Sequence, residues 1–331
     1  MKVGLWRNSI AVLFFAVFVG LLSVGDQSFG AERLRVALST KDFGYLALFV
    51  GMRANYFRDE GFDVQWIQVN PNVVITALLA GELDVAAAAG SAQRAAVRGA
   101  PLKSVLFSYA KSTFVLLGSP EIKRVQDLKG KVIGTTGPGS STELAAAVVL
   151  QHYGMNPKSD VTFFNIGGAE SSVVAMQQGT IQARAFNPDA AYVLKKKGFT
   201  ELATLADLAP WPWAGYTTSV QKLTQERDKI RRWMRVMVKS LLFMMNKKEE
   251  TIRIAQAEFG YPRDVAEAAL NVSVKAINAK DPGGIDDETL RKNIELTIVQ
   301  PMKLTEPPPL SRLVDLSLLR EVQAELGIRG K

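Results

Sequence analysis

Apolar and polar positions along the chain follow a repeating order of strand and helix. Residues 34–39, 62–69 and 84–89 have the apolar or alternating character of strands, whereas 45–55 and 73–80 have the spacing of an apolar helix face. The same alternation continues from 127 to 205. This order is typical of βαβ units and predicts mostly parallel sheets that are covered by helices on both faces.

One short pattern in this order occurs twice. Residues 77–86 and 175–184 each read as the end of a helix, a glycine (Gly81 or Gly179) and the start of a buried strand. A single unit of this kind is common in α/β proteins. Two of them predict two similar α/β lobes, and a cleft between lobes is a frequent place for a small ligand.

The last third of the chain has a different pattern. Pro212 predicts a loop at 211–213, and beyond residue 221 only helical spacing remains, over 226–246, 249–259, 262–279, 287–299 and 313–326. Prolines and glycines at 282–284 and 307–309 separate these helices. We expect this helical C-terminal extension to pack on the first lobe.

The N-terminus has the three regions of a secretory signal peptide. Lys2 and Arg7 are followed by an apolar stretch over 10–22, and small residues precede Ala31. We therefore predict a signal peptide at 1–30, cleavage before Ala31 and a periplasmic location. An uncleaved N-terminal anchor is the alternative, although the apolar stretch is short for a membrane span.

Composition removes several classes of chemistry. The chain has no cysteine and a single histidine, His152, which excludes disulfides, zinc-thiolate and iron–sulfur sites and makes a Ser-His-Asp triad implausible. The formal net charge of +8 could steer an anion. No basic run is interleaved with aromatic residues, so no nucleic-acid partner is predicted. No cofactor and no metal site are expected.

The strongest candidate ligand-binding segment is the glycine- and hydroxyl-rich turn at 137–143. It follows a predicted buried strand and opens a helix, so backbone N–H groups and the positive end of the helix dipole would face a ligand there. Ser140, Ser141 and Thr142 add three hydroxyl groups. The spacing from Ser140 to Glu143 also fits a capping box, so simple helix capping is the alternative.

Further candidates lie in loops after predicted strands, where open parallel sheets bind ligands. Their hydroxyl and amide groups could form hydrogen bonds with a solute, and their aromatic rings could stack on it. Helix capping and packing between the lobes are the structural alternatives for the same residues. These candidates are Thr40, Phe43, Asn70, Asn72, Ser91, Asn165, Phe186, Asn187, Trp211 and Trp213.

Five short segments together resemble a known family. They are 55–64 (NYFRDEGFDV), 79–85 (LAGELDV), 98–103 (RGAPLK), 127–134 (DLKGKVIG) and 186–188 (FNP), and they keep the family's order over about residues 33–220. The family is that of exported solute-binding proteins of ABC transporters in the nitrate/sulfonate/taurine group, which also includes binders of thiamine-pyrimidine precursors.

The resemblance implies a type II periplasmic binding protein fold. Lobe one would comprise 32–110 plus 215–331 and lobe two 111–214, and hinge closure would trap a solute that membrane subunits of an ABC importer then accept. By position, it assigns ligand contacts to Thr40, Ser91, Ser140, Ser141, Asn165 and Phe186. A sulfonate, a nitrate, a pyrimidine or an aromatic carboxylate would suit such a cleft, and Arg184 is the one arginine considered as an anion clamp.

Two other functions remain open at this stage. An exported ligand sensor would present its closed form to a receptor instead of an importer. An enzyme on the same scaffold is the third possibility, but the related pyrimidine-synthesising enzymes depend on a cysteine-rich motif and a catalytic histidine. We predict a monomeric binding protein without enzymatic activity.

Overall fold

The computed structural model describes residues 30–208 and 211–328. The predicted signal peptide therefore lies outside the described residues, apart from Gly30. Within the described ranges, no helix combines the length and the apolar character needed to cross a membrane.

The first sheet contains five strands in the order β2-β1-β3-β10-β4. β1 is parallel to β2 and β3, whereas β10 is antiparallel to its neighbours β3 and β4. The strands are β1 Glu32–Leu38, β2 Phe62–Gln68, β3 Val85–Ala86, β4 Leu102–Tyr109 and β10 Trp213–Ser219.

The second sheet repeats this arrangement in the order β7-β6-β8-β5-β9. β6 is parallel to β7 and β8, whereas β5 is antiparallel to β8 and β9. In both sheets, the antiparallel strand (β5 or β10) is the first strand that the chain forms after it crosses over from the other sheet. An antiparallel strand does not need the helical crossover that connects parallel neighbours. The strands are β5 Val115–Gly118, β6 Val132–Thr135, β7 Thr162–Asn165, β8 Ala183–Phe186 and β9 Thr200–Thr204.

Helices cover both sheets, and the predicted two-lobed α/β fold is confirmed. Each sheet is mixed, with four strands running in one direction and one strand, β10 or β5, reversed. Short 3₁₀ helices occupy Phe43–Tyr45 and Val125–Leu128, and a π-helix occupies Glu295–Val299. The α-helices are α1 Leu46–Arg53, α2 Tyr56–Asp59, α3 Pro71–Leu79, α4 Ala89–Val97, α5 Ser141–His152, α6 Ala169–Gln177, α7 Pro188–Lys196, α8 Leu205–Leu208, α9 Val220–Gln225, α10 Arg227–Asn246, α11 Lys248–Phe259, α12 Arg263–Ala276, α13 Asp287–Ile294, α14 Gln300–Met302, α15 Leu310–Leu313 and α16 Ser317–Glu325.

The helical extension packs on the first sheet, as predicted. The apolar face of α10 contributes Trp233, Met234 and Val236 to the same buried cluster as strand residues Leu34 and Val36. A Cβ added at Gly51 on α1 would lie 2.8 Å from Val236 Cγ1, so glycine permits this close helix contact. The extension thus supplies much of the core of the first lobe.

Two local predictions were wrong. The segment 211–213 is not entirely a loop, because Trp213 opens β10 and pairs with Tyr109, while Pro212 lies just outside the ladder. The helix predicted over 313–326 is divided into α15 and α16, because Val314 leaves the helix to form a bridge with Ser104 of β4. In both places a tertiary strand contact overrides the local pattern.

Candidate functional site

A cavity of about 130 Å³ lies between the two sheets. Its walls are loops that follow β1, β3, β6 and β8, together with the segment that leads into β10. Since these four strands end at the facing edges of the two sheets, the cavity occupies the position at which open α/β sheets bind ligands. The structure thus brings together most of the residues that the sequence nominated.

The turn before α5 lines this cavity, but most of its hydroxyl groups are engaged locally. Thr142 Oγ1 accepts a hydrogen bond from the Thr136 backbone N–H at 2.9 Å and lies 3.0 Å from Ser140 Oγ. Ser140 caps α5 by accepting from the Glu143 backbone N–H at 3.4 Å. The turn therefore serves as a helix cap as well as a cavity wall, and Ser141 completes its surface on the cavity.

Thr40 and Ser91 also line the cavity, each next to a charged group. The Thr40 hydroxyl donates to the Asp42 carboxylate, and Ser91 Oγ accepts from Arg94 Nη2 at 3.3 Å. Both hydroxyls therefore orient a titratable side chain at the cavity surface.

Phe43 and Asn165 are not brought to this cavity. Phe43 is fully buried in the first lobe, with its ring centroid 5.9 Å from that of Phe259, because the 3₁₀ turn at Phe43–Tyr45 directs it into the core. Asn165 ends the edge strand β7 and lines a separate outer pocket at the mouth of the cleft. The side chains of Asn70 and Asn165 border that outer pocket, not the inner cavity.

Aromatic residues form the deep wall of the cavity. Phe186 is buried beneath the Arg184 guanidinium, whose Cζ lies 5.2 Å from the ring centroid. Trp213 packs against Phe114 at a centroid distance of 4.3 Å, and its indole Nε1–H has no hydrogen-bond partner among the described residues. Trp211 lines the cavity beside it.

Two arginines supply positive charge to the cavity, and sequence reasoning missed one of them. Arg184 donates to the carbonyl of Gly168 and the hydroxyl of Ser172, and burial lowers its pKa to about 10, so that it remains a cation at neutral pH. Arg94, on α4, donates from Nη2 to the Gly139 carbonyl at 2.8 Å and thereby links the two lobes. Its position three residues after Ser91, on the same helical face, was the available signal.

Asp42 is the second residue that sequence reasoning missed. Its Oδ1 accepts from the Gly44 backbone N–H at 2.9 Å, and its Oδ2 accepts from Thr40. Burial and the nearby Asp189 raise its pKa to about 7, against the opposing effects of Thr40, Gly44 and Arg184. The proton on this carboxyl group is therefore sensitive to whatever occupies the cavity.

The unpartnered polar atoms around the cavity are mostly donors. Among the described residues that line the cavity, one buried acceptor, Asn187 Oδ1, lacks a donor, and four buried nitrogen donors lack an acceptor. Leaving such groups unpaired is costly, so a ligand rich in acceptor oxygens would satisfy them. The four donors are Arg94 Nη1, Arg184 Nε, Trp213 Nε1 and Asn293 Nδ2.

The described residues contain no cluster of three or more histidine, cysteine, aspartate or glutamate side chains that could hold a metal ion. His152 lies at the exposed C-terminal end of α5, with its ring 5.1 Å from that of Tyr153. The cavity chemistry described above consequently consists of hydrogen bonding, charge and aromatic contact.

Comparisons with known proteins agree with this architecture. A family model described as NMT1/THI5 like matches residues 43–251. The ligand-binding component of an ABC-type import system from Staphylococcus aureus, solved with zinc bound, is 16% identical with a TM-score of 0.71, covering 88% of this chain and 99% of that one. No curated protein sequence matches the chain significantly.

Two further solved structures are similar in fold. The alkanesulfonate-binding protein SsuA from Xanthomonas axonopodis pv. citri, bound to MOPS, is 18% identical with a TM-score of 0.70, covering 86% of this chain and 98% of that one. The desulfurization enzyme DSZB is 10% identical with a TM-score of 0.59, covering 89% and 99%. At these identities the structures establish the fold and no more.

Proposed function

Because the chain belongs to the NMT1/THI5-like family, we propose that it is a periplasmic solute-binding protein that captures a small anion and delivers it to an ABC importer. The observation that carries this proposal is the cavity between the sheets, in which two arginines and an indole present unpartnered donors. The S. aureus and X. axonopodis proteins of the same fold are described as import and alkanesulfonate-binding components, which supports it. A sulfonate fits the four unpartnered donors well, because it offers three acceptor oxygens and a negative charge.

We propose that the two lobes close over the solute by a hinge motion. The lobes would follow the sequence prediction, 32–110 plus 215–331 and 111–214, except that residues 213 and 214 belong with lobe one, because Trp213 already pairs in the first sheet. Two contacts between the lobes support closure. Arg94 donates a hydrogen bond to the Gly139 carbonyl, and Lys196 forms an ion pair with Asp264.

Binding without turnover is the expected behaviour of this site. The one histidine of the chain lies at the exposed end of α5, away from the residues that line the cavity. The similarity to the desulfurization enzyme DSZB concerns the fold, and no catalytic constellation in the cavity supports an enzymatic role here.

Export would remove 1–30, and intact-mass measurement of the secreted protein tests cleavage before Ala31.

A thermal-shift screen of the chain from Ala31 tests the function. The panel contains ethanesulfonate, taurine, nitrate, benzoate and a neutral pyrimidine, each compared with chloride at equal ionic strength. A solute present at about 100 times its dissociation constant adds roughly 2.7 kcal/mol of stability, which raises the melting temperature measurably. Stabilisation by the pyrimidine alone, or by no member of the panel, would contradict anion capture.

A further inference from the structure

The charged groups around the cavity balance one another before any solute enters. Arg94, Arg184 and Asp42 line the cavity, and Asp189 lies close enough to Asp42 to raise its pKa. With both carboxyl groups ionised, these two cations and two anions sum to zero. A bound monoanion then leaves a net negative charge in a largely desolvated space, which is unfavourable unless one carboxylate takes up a proton.

Asp42 is placed to take up that proton. It is a cavity-lining residue, whereas Asp189 lies outside the lining, is almost fully buried and accepts from the Tyr261 hydroxyl. Gly44 shows how closely groups converge here, because a Cβ added to it would lie 3.0 Å from Asp42 Oδ1 and 2.9 Å from Trp213 Nε1. A bulky side chain at Gly44 would fill the place where these groups meet.

An amide side chain from the second sheet also lies near this point. The same added Cβ on Gly44 would lie 3.5 Å from the amide nitrogen of Asn187. The amide oxygen Oδ1 of Asn187 is buried and, among the residues that the structure describes, has no donor.

The titratable groups around Asp42 come from several elements of both lobes. Arg184 opposes its protonation, Asp189 favours it, and the tyrosines are neutral at physiological pH because burial raises their pKa values. The titratable groups around Asp42 are Arg184 on β8, Asp189 on α7, Tyr45 in the first 3₁₀ turn, Tyr109 on β4, Tyr216 on β10 and Tyr261 between α11 and α12.

We propose that Asp42 belongs to the solute site and is protonated when an anion binds and the lobes close over it, so that anion capture is coupled to proton uptake. This inference rests on the proposed function. In an opened cleft Asp42 would face water and have the ordinary aspartate pKa of 3.8, whereas in the folded structure burial and Asp189 raise its pKa to about 7. Since the closed form has the higher proton affinity, low pH favours anion binding, and the effect is lost as pH rises through the folded pKa.

The test uses ethanesulfonate and nitrate, which remain monoanions throughout the range, so any pH dependence comes from the protein. For the wild-type chain, affinity measured by calorimetry should weaken about 25-fold between about pH 5.5 and pH 7.5, at a slope of up to tenfold per unit. Repeating the titration at about pH 5.5, between the two pKa values, in buffers of different ionisation enthalpy should show uptake of about one proton per anion bound.

Two isosteric variants decide the assignment. Asp42→Asn mimics the protonated acid and keeps an acceptor for the Gly44 N–H, so its affinity should not vary with pH and no proton should be taken up. Asp189→Asn should retain a pH dependence but shift it to lower pH, because the neighbouring charge that raises the Asp42 pKa is removed. An unchanged pH profile in Asp42→Asn, or its loss only in Asp189→Asn, would overturn the proposal while leaving anion binding intact. Failure of every anion to bind at any pH would instead remove the proposed function, and this inference with it.

Discussion

Replacing Arg94 by methionine removes the positive charge at the outer end of the cavity and leaves a stem of similar length. In the folded chain Arg94 Nη2 bonds the Gly139 carbonyl at 2.8 Å, and Nη1 is a buried donor with no partner in the described ranges. The variant therefore loses a donor to the solute and a bond between the lobes.

The expected magnitude follows from these contacts. A hydrogen bond to a charged group contributes about 1.5–3 kcal/mol, and about 1.4 kcal/mol corresponds to a tenfold change in affinity. Loss of the solute contact alone should thus weaken binding about 10- to 150-fold. Arg94→Lys retains the charge without the planar fork, and an intermediate loss is expected because lysine cannot serve Gly139 and the solute in the same way.

The control is Arg98→Met, which lies about one helical turn after Arg94 and directly follows the last residue of α4. It changes the net charge by the same amount, but Arg98 is exposed and borders only the outer pocket. Screening by salt limits its effect on affinity to about threefold or less. Isothermal titration of the anion that gives the largest thermal shift provides both dissociation constants. Equal losses in the two variants, or undiminished binding by Arg94→Met, would refute the assignment of Arg94 as a solute contact.

Two further predictions concern stability and are measured by urea unfolding. Gly215→Ala should lower the free energy of unfolding by about 1–3 kcal/mol, because the new Cβ would lie 2.5 Å from Ala89 Cβ. The matched control is Gly168→Ala, whose new Cβ meets open space. Equal stability of the two variants would contradict the packing argument. Lys222→Met should lower the free energy of unfolding by about 1–3 kcal/mol, because the fully buried Asp84 loses its ion pair with Lys222. Burial acts to raise the pKa of Asp84, but hydrogen bonds from a backbone N–H and two lysines lower it overall, so wild-type stability should fall as pH drops from 3.8 through the folded pKa. A variant that is as acid-sensitive as the wild type would count against this role.

The overall architecture could be predicted from the sequence because it depends on local periodicity. The helix–glycine–strand pattern around Gly81 and Gly179 recurs in corresponding positions of the two sheets, and both glycines have the left-handed backbone that ends their helices. Apolar spacing over 226–246 matched the buried face of α10 closely. These features require no knowledge of distant contacts, since each is set by neighbours along the same segment.

The residues of the site could be predicted from the sequence only in part. Loops after strands were the right places for Thr40, Ser91 and the 140–142 turn, because strand ends converge at the edge of a parallel sheet. A loop position does not decide where a side chain points, however. Phe43 turned into the core, and Trp213, predicted in a loop, joined an antiparallel ladder.

Local sequence patterns were enough to predict the two α/β lobes, the helical extension and the general place of the cleft, because backbone hydrogen bonding and apolar burial act at short and regular spacings. Which charges meet in the cleft depends instead on how distant segments fold together. Arg94, Asp42 and Arg184 are far apart in the chain and ordinary in their local context. Their chemistry arises from convergence at one desolvated cavity, where burial changes proton affinity and leaves donors unpartnered.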